Sequence, residues 1–140
     1  MRIVKYITLT LLLTVTFATG AEAKRTKTDH MYMFGFSASF KDSTVYITDI
    51  QDVQGAWFDT KTKFLLGLDS YSSQMHTYLT EKMQLKHRVC MVYFAPTRKK
   101  AEKLYEKLKK KYVVKGQAYY NVQYVKEQDF KFEAIDMSEE

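Results

Sequence analysis

The run RVCMVYFAPTRKKAEKLYEKLKKKY, residues 88–112, restricts the fold more than any other part of this chain. RVCMVYFA, residues 88–95, is an almost continuous apolar run rich in strand-forming residues, which predicts a central strand apolar on both faces. Pro96 ends that strand, and Thr97 stands where its hydroxyl can cap a helix. Ala101, Leu104, Tyr105, Leu108 and Tyr112 then recur at i, i+3, i+4, i+7 and i+11, the spacing of a helix with one apolar stripe. A further alternating stretch, AYYNVQYV, follows Gly116. Strand, helix and strand in that order predict a right-handed crossover between parallel strands.

Upstream, MYMFGFSASF sets Tyr32, Phe34, Phe36, Ala38 and Phe40 in alternation with Met33, Gly35, Ser37 and Ser39, the period of a strand with one heavily buried face. The polar break at residues 41–43 and the following TVYITDI predict a β-hairpin. Met75, Tyr78, Leu79 and Met83 fall at helical spacing over residues 72–83, with Asp69, Ser70, Ser72 and Ser73 as candidate N-caps. DFKFEAI alternates again as a closing strand, with Phe130, Phe132 and Ala134 on one face. Residues 51–68, which mix acids, glycines and the apolar knot Phe64, Leu65, Leu66 and Leu68, receive no assignment. The order is strand, strand, helix, strand, helix, strand, strand. It predicts an α+β two-layer sandwich of ββαβαβ type: a mixed sheet with two helices packed on one face, ferredoxin-like in architecture. The other face, carrying Met33, Ser37, Tyr46, Thr48, Tyr119, Asn121 and Gln123, is expected to be open.

The first 23 residues place Arg2 and Lys5 before an apolar run from Tyr6 to Ala18 and a small-residue exit at Ala21–Ala23, which predicts a secretory signal peptide. The apolar run is shorter than the roughly 20 residues that span a bilayer. Expected boundaries are therefore 1–23 signal peptide, 24–30 flexible lead-in, 31–136 a single domain, and 137–140 a frayed end. Removing Arg2, Lys5 and Glu22 takes the net charge from +6 to +5. Cys90 is the one cysteine, so no internal disulfide, cysteine zinc cluster or lipid anchor at the leader junction is expected. Its apolar neighbours predict a buried side chain rather than a reactive thiol.

Three stretches, FSASFKDSTVYITDIQDVQGAWFDTKTKFLLGLDSY, RVCMVYFAPTRKKAEKLYEKLKKKY and DFKFEAIDM, resemble a family of small exported proteins of Gram-negative anaerobic bacteria with no assigned function. The resemblance spans nearly the whole chain after the leader. It implies a periplasmic or otherwise exported location and carries over no catalytic residue.

The residues offer little for catalysis. His30, His76 and His87 lack a local ligand spacing, and Asp49, Asp52, Asp59 and Asp69 lack the alternation and turn glycine of a calcium loop. No phosphate loop, nucleophile elbow or dinucleotide fingerprint occurs, so no catalytic residue, metal or cofactor is expected. Trp57 reads as a cap on the core or as a stacking platform for a ligand. On a wheel of about 100° per residue, Lys99, Lys100, Lys103, Lys107, Lys110 and Lys111 share one arc, with Glu102 and Glu106 to one side. This strip reads as a solubilising outer face or as a contact for an anionic glycan, lipopolysaccharide or acidic envelope protein, led by Lys99, Lys103, Lys107 and Lys110. Export puts intracellular nucleic acid out of reach. The function expected first is a noncatalytic exported binding module. The alternatives are a small-molecule carrier or enzyme with a pocket between the open sheet face and residues 51–68, and a structural envelope subunit pairing through a strand edge.

Overall fold

A computed structural model describes residues 24–138. The signal peptide expected at 1–23 and the last two residues of the expected frayed end lie outside them. The elements are β1 (Arg25–Lys27), β2 (Met31–Ala38), β3 (Thr44–Thr48), β4 (Gln51–Val53), β5 (Trp57–Asp59), α1 (Leu68–Glu81), β6 (Val89–Ala95), α2 (Arg98–Lys109) and β7 (Asn121–Val125), with a π-helical stretch (Lys110–Lys115) continuing α2. The fold is mixed α+β.

The hub of the main sheet is β2. On one side it pairs antiparallel with β6 from Tyr32↔Ala95 to Ala38↔Val89. On the other it pairs with β3 at Phe36↔Ile47 and with β4 at Met33↔Gln51. Three steps along β2 therefore match four along its partner, which places one extra residue, a bulge, between β3 and β4. The Gly35 amide, at this bulge, donates to the Thr48 hydroxyl at 2.8 Å. β7 lies outside β3 and parallel to it, from Thr44↔Asn121 to Thr48↔Val125. The hairpin expected after residue 40 is thus formed, although β2 stops at Ala38 and leaves Phe40 99% exposed in the turn.

β6 and β7 point the same way, as a crossover requires, but β2 and β3 lie between them. β6 is therefore an edge strand, against the central position its composition predicts. It is apolar on both faces because a helix covers each face: Val92 joins the core under α1, and Tyr93 the core under α2.

The two helices take opposite faces of the sheet, which corrects the expected two-layer sandwich with both on one face. Met31, Met33 and Val92 pack with Tyr71, Met75 and Leu79 of α1. Phe34, Phe36, Val45 and Ile47 pack with Leu108, Tyr105 and Tyr112 of α2 and its continuation. The physical cause is the alternation in β2, which is apolar on both faces, so each face needs its own cover. Gly35 belongs to the α1 face, where any side chain would collide with Met75. The face expected to be open is closed at Met33, Ser37, Tyr46 and Thr48, all buried.

α1 covers only part of that face. The rest is covered by residues 130–135, which form no strand although Phe130 and Phe132 are buried as their alternation predicts. Side chains replace the missing ladder. The buried Gln51 amide donates to the Phe130 carbonyl at 2.9 Å and accepts from the Phe132 N–H at 2.7 Å. Gln74 of α1 does the same for the Glu133 carbonyl and N–H, both at 2.9 Å. The Tyr71 hydroxyl accepts from the Ile135 N–H, and burial raises the Tyr71 pKa.

The unassigned residues 51–68 hold β4, β5 and the turn that leads into α1, which starts at Leu68 behind a left-handed Gly67 with no side-chain cap. Residues 25–27, expected within a loose lead-in, pair with β5 from Arg25↔Asp59 to Lys27↔Trp57. At the other end Arg25 donates to the Met137 carbonyl at 2.8 Å, so Met137 is tied down where fraying was expected. No helix among the described residues is long and apolar enough to cross a membrane.

Candidate functional site

The lysine strip lies on α2, and what anchors α2 determines where the strip faces. Thr97 caps the helix, its hydroxyl accepting from the Lys100 N–H at 3.3 Å. Tyr105 sets its edge on Phe34, with centroids 5.0 Å apart, and Tyr112 tilts over Phe36 at 4.7 Å. α2 therefore runs above β2, with β6 under one flank and β3 and β7 under the other. Ala101 and Leu108 are buried beneath it.

Lys109 identifies the β7 flank: its ammonium stands 5.6 Å from the Tyr105 ring and 5.9 Å from the Tyr124 ring of β7. Burial, with the charges of Tyr124, Asp49 and Glu106 adding to it, pushes the Tyr105 phenol up to about 12. The opposite flank overhangs β6. By helical rotation it carries Lys100, Leu104, Lys107 and Lys111, and Leu104, expected within the core stripe, is 37% exposed there.

Lys99, Lys103, Lys107 and Lys110 are all exposed on the outer surface of α2 and its continuation. Neither Glu102 nor Glu106 forms an ion pair with any lysine of the strip among the described residues. Glu106 and Lys110, although four residues apart, are thus not joined by an ion pair.

The other candidates do not converge. Trp57 is partly buried in β5, opposite Lys27, and its carbonyl accepts from the Leu66 N–H. The acids of the connection serve local turns and joints. Asp59 accepts from the Lys61 and Thr62 amides, Asp49 accepts from the Glu127 amide, and Asp52 contacts His30 Nδ1 at 2.8 Å. Among the described residues no group of three His, Cys, Asp or Glu side chains is gathered to hold a metal. Cys90 is half-buried beside Ser37, and burial pushes its thiol up, outweighing the opposing effects of the Ser37 hydroxyl and the Arg88 cation.

An open cleft of about 420 Å³ lies between residues 52–54 and 131–134. It has Asp52, Lys131 and Glu133 at its rim but no serine, threonine or cysteine in its lining. Trp57 does not line it.

One surface escaped the reading of the sequence, the outer edge of β6. Val89 is 50% and Met91 45% exposed there, and Phe64, 52% exposed, sets its ring against Phe94 at 5.2 Å. The available signal was the absence of any lysine or proline within residues 89–95, the residues that usually protect a sheet edge. No family model matches the chain, and no curated protein or solved structure matches it.

Proposed function

We propose that this protein is an exported, noncatalytic binding module that holds an anionic macromolecule against the outer face of α2. The observation that carries this reading is the row of exposed lysines, Lys99, Lys103, Lys107 and Lys110, with no acidic partner among the described residues, on a helix whose opposite face is committed to the core. Such a row concentrates positive potential and attracts polyanions in a salt-dependent way. The leader at residues 1–23 and the resemblance to exported proteins direct the reading toward envelope glycans, lipopolysaccharide phosphates and acidic proteins. Retention on immobilised heparin and on lipopolysaccharide tests it. Replacing Lys99, Lys103 and Lys107 together with Glu is expected to abolish retention at physiological salt, and unchanged retention would overturn the reading.

A further inference from the structure

Among the described residues strand β6 has β2 as its one sheet neighbour, so half of its backbone groups face away from the sheet. Their identity follows from Gly35. Its N–H points to Thr48 on the β3 side, so Gly35 and its partner Val92 form a pair whose backbone groups turn away from each other. Val92, and by alternation Cys90 and Phe94, therefore aim N–H and C=O groups outward. An uncharged, proline-free edge of this kind is a template for strand addition.

The surrounding charge selects the occupant. From Lys82 to Ala101 the chain contains no Asp or Glu, and the exposed Lys86 precedes β6 while Arg98, Lys99 and Lys100 follow it; Arg88 is buried and turned away to Asp42 and the Thr44 carbonyl. Lys100, Lys107 and Lys111 overhang it from α2. A second copy would set two such basic borders against each other. An acidic strand would meet them with opposite charge.

We propose that the outer edge of β6 receives an extended acidic segment of a partner protein, added to the sheet as a further strand. Its backbone bonds to Cys90, Val92 and Phe94. On the α2 side its carboxylates reach Lys100, Lys107 and Lys111 above Met91 and Leu104, and on the α1 side its apolar residues lie against Phe64. This rests on the reading of α2 as an anion-binding face and names the partner as a polypeptide.

The test uses an acetylated peptide of about eight residues alternating valine and glutamate, long enough to cover the strand. Binding is followed by fluorescence anisotropy and by amide hydrogen exchange of the isotope-labelled protein. Saturable binding is expected, with slowed exchange at Cys90, Val92 and Phe94. A matching peptide with proline at alternate positions should not bind. Val89→Glu with Met91→Glu, both at exposed positions, should weaken binding at least about fivefold while leaving heparin retention in place. Peptide binding without protection of those three amides, or unaffected by the double substitution, would overturn the proposal. So would sedimentation revealing a dimer that the same substitutions dissolve, because a second copy would then own the edge. Retention of heparin without peptide binding would remove this inference alone; loss of both would remove the α2 reading with it.

Discussion

Under α2, Phe34 and Phe36 meet Tyr105 and Tyr112 ring against ring, and a single helix closes that part of the sheet. Under α1, Met33 and Met75 share the face with Phe130 and Phe132, which are held in place by the amides of Gln51 and Gln74. One face is thus closed by apolar contact, which is non-directional and tolerant of small shifts. The other depends on directional bonds to buried backbone groups, which fail when a partner is lost. An irregular segment can thus belong to a core when side chains supply the hydrogen bonds that a strand neighbour would otherwise give.

Gln51→Leu should have the largest effect. It keeps the volume but leaves the Phe130 carbonyl and the Phe132 N–H without partners, at about 1–3 kcal/mol each. Urea denaturation should record this loss, and trypsin should cut at Lys131 faster than global unfolding allows. Leu108→Ala acts on the other face and should cost about 2–5 kcal/mol by removing buried apolar volume. Here cleavage at Lys131 should track global stability, and selective early cleavage would show that the two faces are not independent.

The smallest effect is confined to alkaline pH. Because the folded Tyr105 phenol titrates near 12 and an unfolded one near 10, its neutral form favours the fold. Its stabilising contribution is complete below about pH 10 and is lost as pH rises toward 12. Tyr105→Phe should flatten that part of the stability profile, and an unchanged slope would place the alkaline transition elsewhere.

The elements with internal periodicity could be read in advance: β2, the hairpin to β3, the stripe of α2 with its Thr97 cap, and β7. What could not be read depended on partners distant in sequence. Apolarity on both faces of β6 is equally consistent with a central strand and with an edge strand between two helical layers. Phe130 and Phe132 alternate as in a strand, yet nothing local reveals that Gln51 and Gln74 will bond their backbone. The lysine row was visible as a pattern. Its tilt toward β6 was not, because it is read from Lys109 meeting Tyr124 of β7 at the opposite edge of the same face.

The clasp at Gln51 also has a kinetic consequence. It joins residues 79 apart in the chain, and the bond from Arg25 to Met137 spans 112. Contacts of such separation close slowly, because the loop entropy must be overcome before the contact forms. β2, β3, β6, α1 and α2 can assemble from residues 31–112 alone, whereas the part of the sheet that α1 leaves uncovered waits for residues 130–135. A growing chain would therefore reach a half-closed stage, with one side covered and Gln51 still wet, until the clasp arrives.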